Sequence, residues 1–400
     1  MKFGGSSVAD PDKIKKVAER VIAKKRSGYN IVVVVSAMGD TTDNLIKLAR
    51  GVSNNPQSRE MDMLLSSGER VSMALLSMSL QEMGHDAISL TGSQAEIITD
   101  TSHQRARITD IKATRVREEL GTGRIVIVAG FQGVSSTREV TTLGRGGSDT
   151  TAVALASALK AESCEILTDV PGVFTADPRI VPGARKLDEL SFEEMLELAS
   201  MGAKVLHSRS VEIASKFGVV LKVALAHEDA PGTIIKEEDS LIEQVLVRGI
   251  AHNLDEVKFT VHRVPDKPGV AAAIFSKLAE KNINVDMIIQ NISEEGFTNL
   301  SFTVPTEDRE RTISLADVMK SEVGAERLSC DENIAKVSIV GVGMRSHAGV
   351  AMKVFSALAE KGINIEMIST SEIKISIVIG RKYAEDAVRA LHDAFELEKG

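Results

Sequence analysis

A glycine-rich turn, Gly144–Asp149 (GRGGSD), contains the residue types that most clearly suggest chemistry. It precedes an alanine-rich helical pattern, and backbone N–H groups gathered at a helix N-terminus attract anions. The guanidinium of Arg145 can also grip a carboxylate through two parallel hydrogen bonds. Neither the P-loop pattern nor the dinucleotide fingerprint is matched, because the chain has no Gly-Lys pair and Asp149 stands where the fingerprint requires glycine. We therefore predict an anion site here; the alternative is a glycine-rich connection ending in a helix cap.

The segment Lys2–Ser7 (KFGGSS) is a second candidate for phosphate binding. Paired glycines let backbone amides approach a phosphate closely, and Lys2 supplies a positive charge. The alternative is a flexible terminus with a glycine turn. Because almost no residues precede Lys2, the strand that holds it is expected to be missing or very short.

Polar residues also follow a predicted buried strand, where Thr168 and Asp169 end the run and a loop continues to Arg179. The carboxyl ends of parallel strands are where such sheets bind ligands. The alternative is that Asp169 and Asp177 only form turns. Lys204 would be a further cation after a helix, although taken alone it is typical of a solvated helix end.

The elements that must position these residues follow a βαβα rhythm. Continuous β-branched runs predict buried strands, and amphipathic patterns predict the helices between them, with a capping box at Ser191 and Glu194. This pattern indicates a mostly parallel sheet sandwiched by helices. The predicted strands are 31–35, 124–130, 165–169 and 218–223, and the predicted helices are 10–25, 61–83, 150–160 and 191–199.

Beyond residues 231–245 the chain repeats itself. Segments 268–291 and 348–371 share 13 of 24 positions. Each copy reads strand, helix, strand, strand, and the first helix has Ile274, Phe275, Leu278 and Ala279 on one face. A repeat of this length indicates a duplicated domain rather than a short-period solenoid.

Composition excludes several classes of function. Trp is absent and aromatics make up only 3%, which disfavours a surface for stacking nucleic-acid bases. The net charge of −8 gives no basic footprint for a polyanion, and no apolar run reaches membrane-spanning length. Cys164 and Cys330 are far apart, and no Cys/His spacing suits zinc, so no metal site is predicted. A reducing, cytoplasmic location is expected.

Taken together and in order, these motifs resemble the monofunctional aspartate kinases of the amino-acid kinase family. The resemblance covers almost the whole chain. It rests on segments 2–8, 36–39, 66–70, 130–133, 142–151, 168–170, 176–179 and 203–207. The duplicated segment resembles paired ACT domains, βαββαβ modules that bind amino-acid effectors. The implied domains are an amino-acid kinase domain at 1–240 and ACT-like domains at 255–330 and 331–400, with residues 243–254 as a candidate completing segment.

The resemblance also implies roles for residues. Catalytic positions would be Lys2, Gly4, Gly5, Asp169 and Lys204. Glu69 would bind the α-ammonium of L-aspartate and Arg145 its α-carboxylate, with Thr41, Thr42, Gly146, Gly147 and Ser148 around them. ATP would contact Lys2, Phe3, Gly4, Gly5, Ser36, Thr168, Asp169, Phe174, Asp177, Arg179 and Lys204. Effectors would contact Gln290, Asn291, Met344, Asn364, Ile365 and Ser371.

ATP and Mg²⁺ are the implied cosubstrate and metal, and lysine or threonine the implied effectors. A homodimer or tetramer through the ACT domains is expected, with an internally initiated regulatory subunit as a further expectation. Departures from the family pattern are Ser6, Pro171, Phe174, Ser208 and Ala348. The alternatives are another amino-acid kinase, acting on glutamate, acetylglutamate or UMP, or a non-catalytic amino-acid-sensing subunit.

Overall fold

The computed structural model describes residues 1–201, 205–237, 246–291, 296–346 and 349–399. Contacts divide the chain into two compact units. The first contains residues 1–174, 186–200 and 204–241, and the second contains 175–185, 201–203 and 242–400. The segment 175–185 lies within the predicted catalytic domain of 1–240 and belongs to the second of these units.

The first unit is built on an eight-stranded sheet with the order β10-β12-β11-β9-β1-β2-β6-β3. Neighbouring strands are parallel except for β11 and β12. A smaller sheet has the order β5-β4-β7-β8. The strands are β1 Lys2–Phe3, β2 Val32–Val35, β3 Ala87–Leu90, β4 Ile97–Thr99, β5 Ile108–Ile111, β6 Ile125–Ala129, β7 Gln132–Ser135, β8 Val140–Thr142, β9 Cys164–Thr168, β10 Glu189–Ser191, β11 Leu221–Leu225 and β12 Thr233–Lys236.

Helices flank this sheet and bury their apolar sides against it, as α1 does with Val17 and Val21. The capping box is present, since the Ser191 amide donates to Glu194 Oε2 at 3.1 Å and the Glu194 amide donates to Ser191 Oγ at 3.1 Å. The helices are α1 Pro11–Arg26, α2 Thr41–Val52, α3 Ser58–Leu65, α4 Ser67–Glu82, α5 Thr114–Gly121, α6 Gly147–Leu159, α7 Phe192–Ser200 and α8 Ser208–Phe217, with a 3₁₀ turn at Gly5–Val8.

Two details differ from the sequence expectations. The single helix predicted over 61–83 is interrupted at the buried Ser66, which separates α3 from α4. Strand β1 is as short as expected, yet it lies at the centre of the sheet. Lys2 pairs with Val34 of β2 on one side and with Ile166 of β9 on the other.

The second unit contains the two copies of the repeat as predicted. Its sheets have the orders β15-β16-β14-β17 and β13-β18-β20-β19. The strands are β13 Gly249–Asn253, β14 Glu256–Pro265, β15 Ile288–Asn291, β16 Phe297–Pro305, β17 Arg327–Asp331, β18 Ile334–Val340, β19 Ile365–Thr370 and β20 Lys374–Gly380. The helices are α9 Val270–Glu280, α10 Arg309–Ile313, α11 Ala316–Val323, α12 Val350–Glu360 and α13 Ala384–Ala394.

The segment 175–185 packs within the second unit. Ala176 and Val181 are buried in the same hydrophobic cluster as Val354 of α12 and Leu391 of α13. The Ile250 amide of β13 donates to the Thr175 carbonyl at 2.8 Å. The buried Thr175 Oγ1 also lies 3.0 Å from Nε2 of the buried His392 in α13.

Candidate active site

The carboxyl ends of the central strands bring several predicted segments together. The Gly4 amide donates to the Leu167 carbonyl of β9 at 3.2 Å. The Ser36 amide, directly after β2, donates to the Phe3 carbonyl at 3.2 Å. These bonds align the Gly4–Gly5 segment, Ser36 and Thr168 along one edge of the sheet.

The N-terminal lysine is joined to the glycine-rich turn. Lys2 Nζ lies 2.6 Å from Asp149 Oδ1, and the two side chains are 11% and 12% exposed. Asp149 is in the first turn of α6. Gly4 lies beside this ammonium, since a Cβ atom on Gly4 would be in ordinary van der Waals contact with Lys2 Nζ at 3.7 Å. Lys2, Gly4 and the turn thus form one wall of a site.

The turn itself depends on glycine. Gly144 and Gly146 have φ values of 79° and 68°, in the left-handed region that favours glycine. A Cβ on Gly146 would lie 2.3 Å from the His207 side chain. Arg145 between them is exposed, whereas Gly147 and Ser148 are buried at the start of α6. The backbone therefore presents the Arg145 guanidinium outward beside the N-terminus of the helix.

Glu69 is buried at the start of α4 with an incomplete set of partners. Its Oε1 accepts from the Ala37 amide at 3.2 Å, while its buried Oε2 has no hydrogen-bond partner. Burial raises the pKa of Glu69 from 4.5 to about 7, partly offset by the backbone hydrogen bonds. An unpaired buried carboxylate oxygen is costly, and a ligand ammonium would satisfy it.

Ala37 connects this acid to the phosphate-binding candidate. The Ala37 amide donates a hydrogen bond to Glu69, and the Ala37 carbonyl oxygen would lie 2.7 Å from a Cβ on Gly5. Only glycine at position 5 therefore permits this approach. Thr41, the first residue of α2, lies close to the start of α4. A Cβ atom on Gly68 would be 3.5 Å from Thr41 Cγ2. Thr42 is the next residue of α2 and is half-buried.

A cavity of about 250 Å³ opens beside Thr168 and Asp169. The same cavity is lined by residues that sequence reasoning did not assign, namely Ser6, Ser7, Lys13 and residues 225–228. Arg20 donates to the carbonyl of Glu228, one of these lining residues, at 2.7 Å. The hydroxyl pair after Gly4–Gly5 was the available signal for Ser6 and Ser7; nothing local marked 225–228. A larger cavity of about 660 Å³, beside Ile31 and Cys164 at the opposite edge of the sheet, contains none of the predicted residues.

The remaining nucleotide candidates divide between the units. Thr168, Asp169 and the half-buried Phe174 belong to the first unit, and Asp177 and Arg179 to the second. Arg179 is 87% exposed and bonds Asp177 through Nη2 at 2.6 Å, which lowers the pKa of Asp177.

Two further expectations concern cations. Lys204 lies outside the described residues. In the part of the chain that the structure describes, no three His, Cys, Asp or Glu side chains cluster so that they could hold a metal ion.

Five of the six predicted effector residues lie in or directly beside two edge strands, β15 and β19. Gln290 and Asn291 end β15, while Asn364 precedes β19, Ile365 begins it and Ser371 follows it. Met344 lies in the 3₁₀ turn Val342–Ser346 and is half-buried. Gln290, Asn291, Asn364 and Ser371 are exposed.

Known proteins resemble both units. The model of the amino acid kinase family matches residues 1–224, and models of the ACT domain match 260–324 and 337–395. The aspartokinase of Mycolicibacterium smegmatis is 53% identical over 401 residues, which cover 99% of this chain and 95% of that protein. Aspartokinase 2 of Bacillus subtilis is 52% identical over 398 residues, covering 100% and 97%. The chain belongs to the aspartokinases of the amino acid kinase family.

Solved structures of aspartokinases agree with this membership. Escherichia coli aspartokinase III in complex with aspartate and ADP has 28% identity and a TM-score of 0.84, over 98% of both chains. The same enzyme in complex with lysine and aspartate has a TM-score of 0.75. The prediction of an amino-acid kinase fold followed by two ACT-like modules is thereby confirmed. In the described ranges, no helix is both long and apolar enough to cross a membrane.

Proposed function

We propose that this aspartokinase transfers the γ-phosphoryl group of ATP to the side-chain carboxylate of L-aspartate, giving 4-phospho-L-aspartate and ADP. The observation that carries the proposal is the position of Ala37. Its amide holds the partly unpaired, buried Glu69, and its carbonyl touches Gly5 of the phosphate-binding segment. The carboxylate proposed to accept the substrate ammonium, that of Glu69, thus lies next to the glycine segment proposed to bind phosphate.

The chemistry needs positioning more than proton transfer. One oxygen of the aspartate side chain forms the new bond to the γ-phosphorus, and the bond from that phosphorus to the bridging oxygen of ADP breaks. The nucleophile is already a carboxylate, so no general base is required and no proton moves. Catalysis then consists of orientation and charge neutralisation.

Each wall of the site has a role in this reaction. Glu69 binds the α-ammonium, Arg145 binds the α-carboxylate, and Thr41, Thr42 and Ser148 line the space between them. Lys2, Gly4 and Gly5 hold the transferring phosphoryl group. Thr168, Asp169 and the adjoining cavity hold the nucleotide as its Mg²⁺ complex, with Lys204 as a further cation.

Regulation follows from the duplicated modules. Lysine, threonine or both would bind along the edge strands β15 and β19, and differential affinity for two states of the protein would change kinase activity. Exposed edge strands are also templates for pairing with another chain. We therefore propose a homo-oligomer joined through the ACT domains.

Trapping of the acyl phosphate tests the proposed activity. The protein is incubated with ATP, Mg²⁺, L-aspartate and hydroxylamine, and aspartyl hydroxamate is measured with lysine, threonine, both or neither. Glutamate, acetylglutamate and UMP replace aspartate in parallel reactions, in which ADP release is measured. Aspartate-dependent hydroxamate supports the proposal; turnover with only another acceptor, or none with any, overturns it.

A further inference from the structure

We propose that Asp62 is a positioning residue that ties together the two walls of the aspartate site. The inference rests on the proposed roles of Glu69 and Arg145. Asp62 was not singled out by its sequence context. Its importance lies in what its carboxylate holds.

Asp62 is a fully buried carboxylate on α3 whose oxygens have partners from two other parts of the chain. Thr142 Oγ1 donates to its Oδ1 at 2.6 Å. The Gln104 amide lies 3.1 Å and 3.2 Å from its two oxygens, and His103 Nδ1 lies 2.6 Å from Oδ2. A buried carboxylate is stable only with such a set, so these contacts fix the local geometry.

The partners lead directly to the glycine-rich turn. Thr142 is the last residue of β8, two residues before Gly144, and its carbonyl accepts from the Ala106 amide at 3.0 Å. The Gln104 carbonyl faces Gly144 so closely that a Cβ there would lie 3.0 Å away. Arg209 of α8 closes the group by donating to the carbonyls of Leu143 and Ala106 at 2.9 and 2.8 Å.

The other wall begins on the same helix as Asp62. Helix α3 ends at Leu65, and α4 carries Glu69 in its first turn. The carbonyl of the buried Ser66 between them accepts from Gln132 Nε2 at 2.8 Å, which fixes the junction. Asp62 is thus joined through α3 to Glu69 and through Thr142 to the turn that presents Arg145.

This arrangement sets the spacing between the groups proposed to bind the two ends of the amino-acid backbone. A bound α-amino acid tolerates little error in that spacing, and a shift of about 1 Å in a site can cost about 100-fold in rate. Loss of the Asp62 carboxylate would remove the hydrogen bonds that hold residues 103–104 and Thr142, which precedes the glycine-rich turn. Among the described residues, no hydrogen bond or ion pair joins Asp62 to β1 or β9, on which the nucleotide side is built.

Steady-state kinetics on three variants tests the proposal. Asp62→Ala should raise KM for aspartate by roughly 10- to 100-fold, with KM for ATP changed by less than about twofold. Asp62→Asn should recover part of this loss because it retains one acceptor oxygen. Thr142→Val removes only the hydroxyl and should give a smaller rise of the same kind. Glu194→Gln, at a buried carboxylate in the capping box of α7, is the matched control and should leave both KM values unchanged.

Melting temperatures of the same variants separate positioning from general stability. If the Asp62 variants melt earlier but keep both KM values, the residue is only structural and the proposal fails. If Asp62→Ala does not fold, Thr142→Val provides the test instead, and an unchanged KM for aspartate in that variant refutes the proposal. Arg145→Ala is measured alongside. An unchanged KM for aspartate in that variant would refute the proposed aspartate site itself, whereas a raised value there with no effect of the Asp62 variants refutes only the link.

Discussion

Lys2 Nζ lies 2.6 Å from Asp149 Oδ1 in a nearly buried ion pair between the shortest strand of the central sheet and the first turn of α6. The pair joins the two segments that the sequence marked as anion sites. A cation held in this position is oriented before any phosphate arrives, so little reorganisation is needed during transfer. Lys2 thus has a structural role in this ion pair in addition to the catalytic role proposed for it.

Replacing Lys2 should therefore affect turnover strongly. Lys2→Ala is expected to lower kcat by about 10²–10³, the usual loss for one preorganised charge contact. Lys15→Ala, at an exposed lysine of α1, is the control and should keep wild-type kcat. Initial rates at saturating ATP and aspartate provide the measurement, and an unchanged kcat in Lys2→Ala would remove this residue from the mechanism.

Glu69 predicts a pH dependence of aspartate binding. Its pKa is raised to about 7 in the folded protein, and only the ionised form can pair with the substrate ammonium. The kcat/KM for aspartate should consequently fall as pH decreases below about 7. Glu69→Gln should have a low kcat/KM and lack this inflection. A wild-type kcat/KM that stays constant from about pH 5.5 to about pH 8, a range that extends roughly one unit or more on each side of the raised pKa, would contradict this role.

The same shift predicts an effect on stability. Because the folded pKa is raised, the contribution of Glu69 is most favourable below 4.5 and is lost as pH rises through about 7. The full difference corresponds to roughly 3 kcal/mol. Glu69→Gln, which cannot ionise, should gain stability relative to wild type between pH 5 and pH 8, about the range of the shift. Urea unfolding without ligands measures the free energy of unfolding of Glu69→Gln and wild type at each pH. The prediction is contradicted if the difference between the two proteins is the same at the lower and the higher pH.

Gln290 at the end of β15 tests the effector site. Gln290→Ala should weaken feedback inhibition while leaving uninhibited kcat nearly intact, because the residue is far along the chain from the proposed chemistry and exposed. Inhibition curves with lysine, threonine and both are compared with those of Lys361→Ala, an exposed control. Superimposable curves for Gln290→Ala and wild type would exclude Gln290 from effector binding.

Thr175 tests the contact that holds the segment 175–185 within the second unit. Thr175→Val leaves the buried Nε2 of His392 without its partner, which should cost about 1–3 kcal/mol in unfolding free energy. Thr175→Ser keeps the hydroxyl and is the control. Urea unfolding of both variants measures the difference, and equal unfolding free energies in Thr175→Val and wild type would show that this contact does not stabilise the fold.

The parts of this molecule that were predictable from sequence have local signals. Strands β2, β6 and β9 coincide with β-branched runs, and the capping box of α7 is visible as Ser191 and Glu194. The duplicated module was visible because both copies retain their apolar pattern. Residue types at the glycine turn and after β9 likewise predicted ligand-binding positions, and the structure places those after β9 at the carboxyl end of a central strand.

The contacts that complete the site have no such signal. Asp62 resembles a surface residue of an amphipathic helix, yet its partners are 41 to 80 positions away. The interruption at Ser66 likewise depends on Gln132, which is 66 positions away. The pairing of Thr175 with His392 spans 217 positions. Such contacts depend on the tertiary arrangement, which residue type and periodicity do not encode locally.

The segment 175–185 limits how this protein can be divided. Ala176 and Val181 complete a hydrophobic cluster formed otherwise by residues from 247 onward. A fragment starting after residue 241 would lack that cover and leave an apolar patch of its second module open to solvent. A regulatory fragment expressed alone should therefore be less stable than the same residues within the full chain.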